Sequence, residues 1–246
     1  ETYADLLEEH ADAFMSLLTR EQGKPRAGAE WEVLGSVAWL RAVASQRLPD
    51  EVVEDTDERR VVTRFTPVGV VGAIVPWNFP ILLAIWKIAP ALMSGSTMIL
   101  KPSPYTPLCN LKLVELAQQA FPPGVISALS GGDDLGVWMT THPDINKIAF
   151  TGSTETGRHV MKSASATIKR VTLELGGNDP AIVLPDVDAK ALAPQLFWAA
   201  FQNNAQFCNS TKRLYIHEDV YDEVRDALAD FITHHIKVGD GAEADT

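Results

Sequence analysis

The 246-residue sequence is short of several things, and each shortage excludes a class of protein. Cysteine is nearly absent: Cys109 and Cys208 stand alone. Two isolated thiols build neither a disulfide framework nor a zinc site, so a reducing compartment, the cytoplasm, is expected. The six histidines lack ligand spacing, with His234 and His235 adjacent and the others scattered, so no metal site is expected. Positive charge is scarce: 21 Lys and Arg face 32 Asp and Glu, a formal net charge of −11. That balance argues against nucleic acid and against an anionic membrane surface as partners. The longest uncharged run, Phe65 to Trp86, could reach across a bilayer, yet Pro67, Gly69, Gly72, Pro76, Asn78 and Pro80 interrupt it. Such breakers would strand backbone groups in lipid, so no membrane span is expected. Residues 1–22 are amphipathic and acidic, unlike a signal peptide. No internal repeat or low-complexity linker is visible.

What is present is an ordinary globular composition, 46% apolar and 22% charged. A chain of this length buries roughly three-quarters of its unfolded surface, in one large domain or two small ones. Leu6, Leu7, Phe14, Leu17 and Leu18 recur at helical spacing, and Gly23-Lys24-Pro25 ends that helix. A second helix is expected from about 29 to 46, with Trp31, Leu34, Trp39 and Leu40 as candidate core. Residues 49–58 read as acidic turn, and 60–66 alternate as a half-buried or edge strand. Then β-rich runs at 70–75, 97–100, 125–129, 147–150, 171–175 and 181–184 alternate with helical patterns at 81–94, 106–120, 133–141 and 155–169. Further helical segments follow near 189–204 and 218–235. This is the pattern of a parallel sheet covered on both faces, in which ligands sit at the carboxyl ends of the strands.

Four strand ends carry unusual residues. Pro76-Trp77-Asn78-Phe79-Pro80 is an irregular turn, and Asn78 there is a turn residue or a functional amide. Lys101, in Lys101-Pro102-Ser103, reaches a phosphate or ribose, or is a solvated strand terminus. The run from Phe150 to Gly157 leads from strand into helix. It could cradle a phosphate on free N–H groups, or simply be capped by Ser153 or Thr154. It lacks GxGxxG spacing. Glu174 sits inside Leu173-Glu174-Leu175-Gly176-Gly177, as a buried carboxylate suited to general base work or as a strand-end residue facing water. Cys208 lies among polar residues with Lys212 and Arg213 just after it, a setting that favours thiolate. Cys109 reads as ordinary packing.

Taken together, PWNFP at 76–80, KPS at 101–103, FTGSTETG at 150–157, LELGG at 173–177 and the cysteine segment at 201–208 resemble the aldehyde dehydrogenase superfamily. Their order and the spacing between Glu174 and Cys208 agree with the family, and the resemblance covers essentially the whole chain. It implies an α/β fold with a Rossmann-like parallel sheet, helices on both faces, an oligomerisation hairpin at 49–66, and the start of a second α/β catalytic domain. Residues 1–175 would be the NAD(P)-binding domain and 176–246 the beginning of the catalytic one. Cys208 matches the nucleophile, Glu174 the general base and Asn78 the side-chain amide of the oxyanion hole. Cofactor contacts are implied for Ile74, Val75, Pro76 and Trp77 after the first strand, and for Lys101, Ser103 and Pro104 after the second. The others are Phe150, Thr151, Gly152, Ser153 and Thr156 on the third turn, then Leu175 and Gly176.

The implied reaction oxidises a small-molecule aldehyde to the acid with NAD or NADP, through a cysteine thiohemiacetal and thioester that Glu-activated water hydrolyses. A homo-oligomer, dimer or tetramer, is implied for the intact protein. Two departures stand out. The family usually has Gly-Gln where Ala205-Gln206 stands. Members that prefer NAD often carry an acid shortly after the KPS-like tripeptide, whereas Pro104 and Tyr105 follow here, which leaves NADP open. The chain also stops part-way through the expected catalytic domain and begins inside a helix, the pattern of a partial chain. That supports an alternative, a non-catalytic cofactor-binding or scaffold fragment. Transfer of the thioester to coenzyme A is a third reading, which Glu174 opposes.

Overall fold

The computed structural model describes residues 1–243, and residues 244–246, the end of the expected catalytic unit, lie outside the described residues. The first apolar period forms two helices rather than one. α1 (Thr2–Glu9) and α2 (Ala11–Gln22) are separated at His10, whose φ of −98° and ψ of 11° break the helical run. α2 ends at Gly23 in the left-handed region (φ 83°), where a residue without Cβ carries no steric cost. α3 (Arg26–Ala44) follows directly behind Pro25.

Residues 49–58, read as a turn, contain a strand. β1 (Glu51–Asp55) pairs antiparallel with β2 (Arg60–Thr63), Val52 opposite Val62. The acids that suggested a turn are held instead by arginines, Glu54 by Arg59 and Asp50 by Arg64. The alternation in β2 does not produce a buried face, since all four of its residues are exposed.

From Val70 the chain builds one five-stranded parallel sheet: β3 (Val70–Ile74), β4 (Thr97–Lys101), β5 (Ile126–Ala128), β6 (Lys147–Gly152) and β7 (Arg170–Leu175). The spatial order is β5-β4-β3-β6-β7. Between the strands run α4 (Pro80–Met93), α5 (Leu108–Ala117), α6 (Asp133–Thr141) and α7 (Thr154–Ala164). The expected helix over 155–169 stops at Ala164, and a 3-10 turn at Ser165–Thr167 ends with Ile168 left-handed. Side chains alternate across the sheet, and each set meets its own helical layer. Val71, Ala73, Met98, Leu100 and Ala149 join a core with Leu7, Leu18, Val33, Ile85, Ile88 and Leu113 from α1 to α5. Ile148 and Phe150 point the other way, to Met139 of α6 and Val160 of α7. Gly157 lets α7 approach closely, because a Cβ there would stand 2.7 Å from a Leu175 methyl.

The run at 181–184 belongs to a different sheet. β8 (Asp179–Val183) pairs in parallel with β9 (Thr211–Ile216), a strand the sequence reading did not identify. α8 (Ala189–Phe201) and α9 (Tyr221–His235) cover the pair around Val183, Leu196, Val220 and Val224. The Asp188 carboxylate caps α8 by accepting from the Lys190 and Ala191 N–H groups. Among the described residues no helix is long and apolar enough to cross a membrane. The uncharged run from Phe65 is a loop, β3, a turn and the start of α4.

Candidate active site

Chain direction across the sheet reverses at β3: β4 and β5 lie on one side of it and β6 and β7 on the other. In open parallel sheets a crevice forms at the carboxyl ends of the strands flanking such a reversal. Two of the sequence-singled turns leave that point, Val75-Pro76-Trp77-Asn78 after β3 and Gly152-Ser153 after β6. Ile74 is in register with both Lys101 and Phe150, so β3 and β4 end at the same level, and β6 runs two residues further, to Gly152. The Val75 N–H donates to the Lys101 carbonyl, tying the first turn to the second.

Of the two readings of Lys101, burial excludes the solvated one: the residue is only 4% exposed. Its ammonium reaches the Pro102 carbonyl at a long 3.5 Å. Burial lowers its pKa, and Asp133 of α6 opposes that shift. A buried cation so loosely held at a strand end suits a hydroxyl or anionic ligand oxygen. Ser103 is buried beside it, while Pro104 is exposed. Trp77 is 37% exposed over buried Val75 and half-buried Pro76. Buried Phe150 and Thr151 lead to half-buried Gly152. The Ser153 hydroxyl caps α7 by accepting from the Thr156 N–H at 3.1 Å and bonds the Thr156 hydroxyl. The capping alternative is therefore realised, with Ser153 and Thr156 engaged together at that helix start.

Glu174 takes the water-facing alternative. It is exposed on β7, the outermost strand, opposite Thr151, and followed by half-buried Leu175 and exposed Gly176. Behind it is a residue the sequence reading passed over. Lys87 of α4 is buried and donates to the Thr151 hydroxyl at 2.6 Å. Burial pulls this lysine down to about 8, against the pull of the Glu174 charge, while Lys147 pushes it further down. A single cation in the otherwise apolar helical pattern at 81–94 was the available signal.

The cysteine segment reaches the first turn through specific contacts. The Asn78 side-chain amide donates to the Gln206 carbonyl at 2.9 Å, two residues before Cys208. Asn203 donates to the Asn78 carbonyl and the Gln206 carbonyl, both at 3.3 Å. The Phe79 and Phe207 rings lie 4.8 Å apart. Cys208 is exposed, and its carbonyl would stand 3.4 Å from a Cβ at Gly177, so the Leu-Gly-Gly turn backs the cysteine loop. The two cations after the cysteine are held by backbone carbonyls, Lys212 by those of the cysteine segment itself. Lys212 donates to the Phe207, Cys208 and Ser210 carbonyls, and Arg213 to the Asn178 carbonyl. The expected helix to 204 ends at Phe201 because Asn203, Asn204 and Ala205 all have φ between 51° and 61°. Buried Cys109 has its thiol pKa raised, chiefly by burial. Among the described residues no group of three His, Cys, Asp or Glu side chains could hold a metal ion.

Comparison with known proteins gives the family. The family model described as "Aldehyde dehydrogenase family" matches residues 1–246. The chain belongs to the aldehyde dehydrogenase family. It is 50% identical over 230 residues to a protein described as a putative aldehyde dehydrogenase from Gibberella fujikuroi, which covers 94% of this chain and 50% of that protein. Human retinaldehyde dehydrogenase 3 is 42% identical over 226 residues, 89% of this chain and 44% of that enzyme. Betaine aldehyde dehydrogenase of Staphylococcus aureus, solved with NAD+, superposes with a TM-score of 0.93 at 32% identity over 99% of this chain and 49% of its own. This aldehyde dehydrogenase chain thus spans about half the length of the curated relatives it matches.

Proposed function

We propose that the protein carrying this chain oxidises a small aldehyde to its carboxylic acid with NAD or NADP. The observation that carries the reading is the joining of Asn78 to the Cys208 loop by the 2.9 Å bond to the Gln206 carbonyl, at the mouth of the crevice. An amide nitrogen has two N–H groups, and that bond uses one. The second is available to an oxyanion formed beside Cys208.

The Cys208 thiolate adds to the aldehyde carbon and gives a thiohemiacetal whose oxyanion is held by the Asn78 amide and the Cys208 N–H. Loss of a hydride from this carbon leaves a thioester on Cys208, and the nicotinamide, when bound, would supply the hydride acceptor. Glu174 takes a proton from water, the water oxygen adds to the thioester carbon, and the acid departs as the thiolate returns. Water-facing placement suits Glu174 to that step. Lys101 and Ser103 would hold the adenosine ribose, with Pro104 at its edge. Gly152, Ser153 and Thr156 would lie against the pyrophosphate. Ile74, Val75, Pro76, Trp77, Phe150, Thr151, Leu175 and Gly176 would line the crevice. The fit rests on loosely held Lys101 and on its place beside Ile74, at the carboxyl ends of β3 and β4. Relatives described as bound to NAD+, and as a 3,6-anhydro-L-galactose dehydrogenase in complex with NAP, are consistent with either dinucleotide.

We further assign residues 1–175 to the cofactor-binding unit, with the hairpin at 49–66 as the surface that pairs subunits, and 176–246 to the start of the catalytic unit. The test is reduced-cofactor formation with aliphatic and aromatic aldehydes, NAD and NADP assayed separately, in wild type and Cys208→Ala. Turnover that disappears in Cys208→Ala is expected, and an unchanged rate in that variant would sink the mechanism. A folded chain that binds cofactor without turnover would instead support the binding-fragment reading.

A further inference from the structure

Among the described residues outside the groups given a role above, one ion pair is completely buried. Lys24, from the Gly23–Pro25 turn, and Glu32, from α3, are 3% and 0% exposed, and the ammonium meets the carboxylate at 2.5 Å. Burying two charges costs several kcal/mol per ion unless attraction and further hydrogen bonds offset it. The further bonds of this pair converge on one short segment. Glu32 Oε1 accepts from the Ile81 and Leu82 N–H groups at 2.8 and 3.2 Å, at the start of α4. Lys24 donates to the Asn78 carbonyl at 3.0 Å and lies 3.7 Å over the Phe79 ring. The hydrogen-bond and ring partners of the two side chains outside the pair are therefore Asn78, Phe79, Ile81 and Leu82. Burial lowers the Lys24 pKa and raises that of Glu32, and each group opposes the shift of the other.

The Asn78 carbonyl accepts from Lys24 on one side and from Asn203 of the cysteine loop on the other. Through this carbonyl the pair fixes the backbone from which the Asn78 amide projects. We infer that Lys24 and Glu32 are a positioning pair for the reaction, holding the Asn78 amide at its working distance from the Cys208 loop. This inference rests on the mechanism proposed above. Neither residue touches substrate or cofactor, so the effect is on kcat and not on cofactor affinity.

The test uses the intact protein and three variants: Asn78→Ala, the charge-free pair Lys24→Met with Glu32→Gln, and all three substitutions together. Gln at position 32 keeps the shape and one oxygen for the α4 N–H groups. The expected result is a kcat lower by about tenfold or more in the charge-free pair, the scale on which misplacement of a catalytic group acts. Cofactor affinity by fluorescence titration stays at the wild-type value. The triple variant is no slower than Asn78→Ala, because both changes remove the same interaction. Losses that multiply would overturn the inference, as would a charge-free pair within about twofold of wild type while Asn78→Ala is slow. If Asn78→Ala itself leaves kcat unchanged, the oxyanion role fails and takes this inference with it, a distinct outcome. If the charge-free pair does not fold, the same criteria apply to Glu32→Gln alone and in combination with Asn78→Ala.

Discussion

The five-stranded sheet and the β8–β9 unit are built from similar alternations of strand and helix, yet they bury very different fractions of their large side chains. Around the sheet, Leu7, Ile81, Ile85, Ile88, Leu100, Leu113 and Ile148 are sealed completely between helices on both faces. In the β8–β9 unit, Trp198 is 55% exposed, Tyr215 53% and Ile182 73%. Two strands with a helix pair cover one small core around Val183 and Val224, and the remaining apolar surface faces out. The difference divides the site as well. Asn78, Lys101 and Ser153 stand at the ends of closely packed strands. Cys208 sits on an exposed loop reached through three left-handed residues, and its position depends on contacts made back to the sheet region.

The largest effect that tests this contrast is in stability. Leu100→Ala is expected to cost about 2–5 kcal/mol, because it opens a cavity in a core closed on every side. Trp198→Ala, half exposed and held by an edge contact with Phe197, should cost only about 1 kcal/mol. Urea denaturation measures both, and equal losses would erase the distinction.

Lys87 sharpens the comparison from inside the sheet region. Its pKa falls from 10.5 to about 8 on folding, a shift worth about 3 kcal/mol at most. A lysine depressed in the folded state destabilises most below its folded pKa, where both states carry the charge. Between about 8 and 10.5 the unfolded chain binds more protons, so stability rises with pH. Lys87→Met should therefore be more stable than wild type near pH 7, less the lost bond to Thr151. That advantage should shrink as the pH is raised toward 10.5. An advantage independent of pH would contradict the buried ammonium.

A smaller effect is expected in the cysteine loop. Ala205 has a φ of 61°, where a Cβ costs roughly 1–2 kcal/mol. Ala205→Gly should raise stability by up to about 1 kcal/mol after the added chain entropy is subtracted. Thermal unfolding monitors it, and a lower Tm would show that the loop does not hold that conformation. The smallest effect concerns cofactor choice. An acid in place of exposed Pro104 would face a 2′-phosphate near Lys101, so Pro104→Glu should lower kcat/KM with NADP relative to NAD by about tenfold. An unchanged ratio would remove Pro104 from the cofactor edge.

Much of the fold was legible because its signals are local. The run from Val70 to Val75 is β-rich and apolar since both faces of β3 are covered, and the helical period at 81–94 marks α4. The site motifs were legible for the same reason, each being a short segment close to the end of a strand or helix. Three kinds of feature were not. β9 carries Lys212 and Arg213 and exposes half of its length, so it lacks the apolar run that marked the other strands. β1 is a strand because β2 pairs with it and arginines neutralise its acids, a condition no window of residues 49–58 contains. Lys24, Glu32 and Lys87 look like surface charges in the sequence, and only their neighbours reveal that they are buried.

The sequence by itself determined the five strands of the covered sheet and the short segments at or near strand ends that carry Asn78, Lys101, Glu174 and Cys208, because side-chain period and turn chemistry act over a few residues. Tertiary structure decided the rest. It reversed the strand order at β3, sent β8 to a second sheet, turned Glu174 to water and drew the Asn78 amide to the Gln206 carbonyl across 128 positions of chain. Those outcomes depend on which distant groups exclude water from one another, and that is a property of the packed chain.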